Sequence, residues 1–115
     1  MFGLTRRRLV ETRPTTRGIL VQVAAQADDV PASERVCNQV LAAIQRCDSD
    51  VIVDLRHLGV ISSSFAAALV LGFRILRQAG HAISVANLPD QARAVFQVYG
   101  LFRVLHELAP ESVRT

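Results

Sequence analysis

Two different rhythms of apolar residues run along this chain. Some short stretches are almost continuously apolar and β-branched, such as Ile19-Leu20-Val21 within residues 18–24 and Val51-Ile52-Val53-Asp54-Leu55. Runs of this kind suit strands, and a run apolar on both faces suits a central strand. Longer stretches repeat at helical spacing. Val36, Val40, Leu41 and Ile44 make a stripe between residues 28 and 47, with Arg35, Asn38, Gln39 and Arg46 turned elsewhere. Asp28, Asp29 and Pro31 suit a helix start. Phe65, Ala68, Leu69, Gly72, Phe73 and Leu76 repeat the pattern in a helix predicted over residues 64–79, with Gly80 as its stop. Residues 82–88 read as a strand. Pro89-Asp90 then opens a third helix, with Ala92, Val95, Phe96 and Tyr99 as its apolar set and Gly100 as its end. A weak strand over residues 8–13, closed by Pro14, precedes the strand at Gly18, and the residues between them read as a hairpin connection. A short final element ends near Leu108.

The order is thus ββαβαβα. Strands alternating with helices predict a mostly parallel sheet with right-handed crossovers, given a mixed edge by the opening hairpin. The expected fold is α/β, a mixed sheet of four or five strands with helices mainly on one side. The length of 115 residues fits one domain, residues 1–115, with residues 1–7 and 109–115 expected as flexible ends.

Composition narrows the classes. Hydrophobic residues make up 50% of the chain, which excludes disorder. The net charge is +3, and every one of the 13 basic residues is arginine. Arg6, Arg7, Arg8, Arg13 and Arg17 crowd the N-terminal segment. Such an arm could meet nucleic acid or an anionic membrane. Too few aromatics accompany it for a stacking platform, so a charged, solvated edge is the preferred reading and no nucleic-acid partner is expected. The longest apolar run, from Phe65 to Phe73, is far short of the about 20 residues a membrane-spanning helix needs. No apolar stretch of signal-peptide type follows the basic N-terminus, so a cytoplasmic location is expected. Cys37 and Cys47 lie ten residues apart on one predicted helix, about 15 Å, too far for a disulfide. His57, His81 and His106 form no zinc set with them, and no metal or cofactor is expected.

Ser62, Ser63 and Ser64 carry the most specific signal. They follow an apolar strand and open a helix. Capping is one role for them, since a serine oxygen accepts an orphan backbone N–H there. Phosphate acceptance is the other: free N–H groups and the helix dipole tolerate an anion at this place. A hydrolase reading fails, because there is no Gly-x-Ser-x-Gly elbow and nothing places His57 as a base. The glycines of a phosphate-binding loop are also missing. Asp54, Asp90 and Glu107 show no pairing for acid–base work, and Asp54 is expected to end the central strand and bond nearby backbone. The predicted helix is apolar on a second side too, at Ala66, Ala67, Val70 and Leu71. A neighbouring element covers that side, or a partner does.

The stretch from Val51 to Leu105 resembles a STAS domain. The residues that carry the likeness are Asp54-Leu55, Ile61, the three serines, Gly80, Leu88-Pro89 and Gly100-Leu101. The match is strongest over residues 51–105. The resemblance implies a bacterial regulatory binding domain of the anti-sigma-factor-antagonist type, without catalysis of its own. The implied partner is an anti-sigma factor with serine kinase activity, of the histidine-kinase-like ATPase type, and the ATP belongs to that partner. The second hydroxyl of the family motif falls on Ser64, with Ser63 as runner-up phosphoacceptor. Partner contacts are expected from Gly59, Ser62, Ser63, Ser64, Phe65, Ala67, Val70 and Leu71, and a homodimer is compatible with such a domain. Two departures stand out: Ser62 occupies the motif's acidic position and Phe65 its glycine. They favour an alternative, in which a STAS accessory subunit docks on a lipid-transport ABC ATPase without phosphorylation.

Overall fold

The computed structural model describes residues 9–23, 30–59 and 61–108. The N-terminal arginines up to Arg8, the acids Asp28 and Asp29, Val60 and the tail from residue 109 lie outside the described residues. The elements are β1 (Val10–Thr15), β2 (Gly18–Val23), α1 (Val30–Arg46), β3 (Val51–Asp54), α2 (Ser63–Gln78), β4 (Ile83–Ala86), α3 (Asp90–Tyr99), a single 3₁₀ turn (Leu101–Arg103) and β5 (His106–Leu108).

The strands lie in one sheet in the order β1-β2-β3-β4-β5. β1 pairs antiparallel with β2, and each later pair is parallel. Each right-handed crossover that moves one strand along in the same direction lays its helix on the same face. That face carries Val21, Val23, Val51, Val53, Ile83 and Val85, all buried in one cluster with Val36, Val40 and Ile44 of α1 and Leu69 and Leu76 of α2. Register fixes this division: Val21, Val53 and Val85 stand side by side across three strands, and a slip of one residue would turn all three over. The opposite face has a smaller cluster of Leu20, Ile52 and Ala86, with Leu108 packed against it.

Pro14 does not end β1. It pairs with Ile19 inside the strand, which a proline tolerates because β1 is an edge strand and needs no second ladder of hydrogen bonds. The strand expected over residues 82–88 is shorter at both ends. Asn87 takes φ of 54° and breaks the extended run after Ala86. Gly80 and Gly100 follow their helices with φ of 82° and 66°, the left-handed region in which glycine has no Cβ penalty. Tyr99 is a correction to the expected apolar set, because it is exposed. The 3₁₀ turn brings Phe102 against Phe96, with ring centroids 5.4 Å apart, and Leu101 and Leu105 fill the core beyond the helix end. Tyr99, in the last turn of α3, is left outside.

α1 and α2 run side by side in the same direction. Near their starts the Cys37 thiol lies 3.6 Å from the Ser64 carbonyl oxygen. Further along, a Cβ placed on Gly72 would meet Ile44 Cδ1 at 3.0 Å. The missing side chain at Gly72 lets the helices approach there. Among the described residues no helix is long and apolar enough to cross a membrane.

Candidate functional site

The central strand β3 delivers the chain to the site. Its last residue, Asp54, is 2% exposed. One carboxylate oxygen accepts from Gln22 Nε2 at 3.2 Å and the other from the Arg56 backbone N–H at 3.0 Å. A buried carboxylate needs such partners. Asp54 therefore ties β2 to β3 and shapes the turn after β3, where Leu58 is buried and Gly59 half-buried. The Gly59 carbonyl accepts from Gln91 Nε2 at 3.5 Å, which links this loop to the start of α3. His57 is exposed in the turn.

The three serines divide their roles by position. Ser62 is the N-cap of α2: its backbone is extended and its Oγ accepts from the Phe65 N–H at 3.1 Å, while its carbonyl accepts from Ala66 N–H. Ser63 is exposed. Ser64, also exposed, donates its hydroxyl to Glu34 Oε2 on α1 at 3.3 Å. On the next turn of α1, Cys37 donates its thiol to the Ser64 carbonyl. Burial, with help from the nearby Glu34 charge, pushes the Cys37 thiol up from its ordinary value, which keeps the S–H in place as a donor. The Ser64 hydroxyl is thus held by a carboxylate and not by an imidazole.

Helical geometry sorts the residues that follow. Ser63, Ala67, Val70, Leu71 and Arg74 fall along one side of α2, and there Ala67 is exposed, Val70 half-buried and Leu71 44% exposed. Two expected positions turn inward. Phe65, expected among the partner contacts, is 0% exposed and belongs to the core cluster. Ala66 is 4% exposed and joins the core cluster, so the second apolar side of α2 is divided: Ala66 turns inward, and Ala67 and Leu71 reach solvent. The structure brings together Ser62, Ser63, Ser64, Ala67, Val70 and Leu71 as a continuous ridge and removes Phe65 from it.

Sequence reasoning missed Glu34 and Cys37. Neither bears a motif, and their relation to Ser64 arises only when the two crossovers place α1 beside α2. Among the described residues no three His, Cys, Asp or Glu side chains gather as metal ligands.

Among the described residues, a single sheet with sequential strand order, three helices that each follow a strand and a serine-capped helix after the central strand define a small α/β domain. The sequence model of the family described as "Mlab, STAS domain" matches residues 19–107, and the chain belongs to that family. Among curated proteins no sequence matches significantly. Solved structures share the fold. An anti-sigma-factor antagonist (STAS) domain protein from Planctomyces limnophilus is 18% identical, with a TM-score of 0.75 over 87% of this chain and 89% of its own. The anti-sigma factor antagonist SpoIIAA in its unphosphorylated form is 20% identical, with a TM-score of 0.65 over 90% of both chains. The Bacillus cell fate determinant SpoIIAA in its phosphorylated form is 18% identical, with a TM-score of 0.64 over 90% of this chain and 94% of its own.

Proposed function

We propose that this chain is a regulatory protein-interaction domain, like an anti-sigma-factor antagonist, that binds a serine-kinase anti-sigma factor through the ridge from Ser62 to Leu71. The observation that carries the reading is the exposed hydroxyl of Ser64 at the first turn of α2, next to the exposed apolar side chains of Ala67 and Leu71. An apolar ridge that the fold leaves in water is available to a partner. A phosphate on Ser64 adds about two negative charges at its rim, which weakens an apolar contact by desolvation cost. The partner supplies ATP and the catalytic groups, and this chain supplies the hydroxyl and the surface.

A second reading has specific support. The family model that matches carries the Mlab description, and the Ser64 hydroxyl is engaged by a carboxylate that opposes an added phosphate. In that reading the same ridge docks constitutively on a lipid-transport ATPase. The deciding experiment incubates the chain with the kinase-type partner and ATP and maps any phosphate by mass spectrometry. One phosphate on Ser64, absent from Ser64→Ala, supports the first reading. Binding without phosphate on any serine supports the second.

A further inference from the structure

We propose that Glu34 of α1 acts as the internal opponent of a phosphate on Ser64, so that modification is read within this chain as the loss of the Glu34–Ser64 tie between α1 and α2. The inference rests on the reading of Ser64 as a phosphoacceptor. In the unmodified chain, α1 holds Ser64 at two points one turn apart. Glu34 accepts the side-chain hydroxyl at 3.3 Å, and Cys37 donates to the backbone carbonyl at 3.6 Å. Phosphorylation replaces the Oγ–H bond with an Oγ–P bond, the phosphoryl group coming from partner-bound ATP with ADP and a proton as the other products. The hydroxyl donor is then gone, and a group of charge about −1.5 to −2 stands beside the Glu34 carboxylate. Attraction becomes like-charge repulsion.

The two groups are exposed, so water screens the conflict and the response is local. Glu34 swings away, while Val36, Val40 and Ile44 of α1, each 1% exposed, stay anchored in the core. What is lost is the tie at the helix starts, beside the ridge proposed to meet the partner. The helix N-terminus alone would welcome an anion. Glu34 makes this one conditional.

A double-mutant cycle on the purified chain tests the inference. Wild type, Glu34→Gln, Ser64→Glu and the double variant are melted at low salt. Ser64→Glu should lower Tm by at least about 2 °C when Glu34 is present and by less than half as much in the Glu34→Gln background. The difference should shrink in 1 M NaCl, where the Debye length is about 3 Å. Ser64→Gln, of similar size without charge, should show no dependence on Glu34. If Ser64→Glu does not fold, Ser64→Asp takes its place in the cycle. Equal shifts in both backgrounds, or a coupling unchanged by salt, overturn the proposal. No partner enters the cycle, so its failure leaves the partner-binding reading standing, and failure of partner binding leaves the cycle's result standing.

Discussion

Gly72 of α2 sits against Ile44 of α1 so closely that a Cβ at Gly72 would stand 3.0 Å from Ile44 Cδ1 and 3.6 Å from Ile83 Cδ1. The contact sets the spacing of the helices that carry Ser64 and Glu34. Gly72→Ala adds a methyl group against the far end of a flexible side chain and gains helix propensity, about 1 kcal/mol, so the two effects nearly cancel. Gly72→Leu has no such escape and should destabilise the fold by about 1–3 kcal/mol through overpacking. Urea unfolding of both variants checks this. A leucine variant as stable as wild type would show that the helices are not in close contact.

The serine triplet should separate in stability measurements. Ser62→Ala removes the side-chain acceptor of the Phe65 N–H and should cost about 1 kcal/mol. Ser63→Ala touches an exposed position and should stay within about 0.5 kcal/mol of wild type. Chemical denaturation of the two variants under one condition gives the comparison. The reverse order would place the cap one residue later.

Ala66 and Ala67 are neighbours with opposite environments. Ala66→Arg buries a guanidinium among apolar side chains and should abolish folding or lower Tm by more than about 10 °C, given about 4–8 °C per kcal/mol in a domain near 100 residues. Ala67→Arg projects into water and should leave Tm within about 2 °C of wild type while removing partner binding. Circular dichroism melts of both, with a binding assay on Ala67→Arg, decide the matter. Unfolding of Ala67→Arg would mean that this side of α2 is covered within the chain.

The sheet and the helix order were legible because each rests on local pattern: Val51-Ile52-Val53 is apolar on both faces, and a helical stripe follows the serines. Which serine caps the helix was not legible, since the helix predicted from residue 64 begins at Ser63 with Ser62 as its cap. Asp54 was legible as a strand end, and its tie to Gln22 follows only from the pairing of β2 with β3. Phe65 was misjudged because a position inside a motif does not say which way its side chain turns. The first turn of α2 rotates Phe65 into the core while Ser63 and Ser64 stay outside. Glu34 and Ser64 are thirty residues apart in sequence, and nothing local in either announces the other.

Acid should weaken one tie between α3 and β5. Arg93 grips both carboxylate oxygens of Glu107. That hydrogen-bonded pairing holds the Glu107 carboxyl below its ordinary value. A depressed folded-state value means the stabilisation is complete above the unfolded glutamate range and is lost as pH falls through the folded-state value. Glu107→Gln should therefore be less stable than wild type near neutral pH and converge with it in acid. Melts across pH check the convergence, and a constant gap at every pH would show that charge plays no part. The pair is partly exposed, so the gap is small.

The most direct measurement of the proposed partner control compares the affinities of wild type, Ser64→Ala and Ser64→Glu for the proposed kinase-type anti-sigma partner by titration calorimetry. Ser64→Ala loses an exposed hydroxyl and should bind within about threefold of wild type, because the cap belongs to Ser62. Ser64→Glu sets a charge at the rim of the apolar ridge and should bind at least about tenfold more weakly, about 1.4 kcal/mol. Equal binding by all three would contradict control through Ser64 and leave constitutive docking of the α2 ridge as the function.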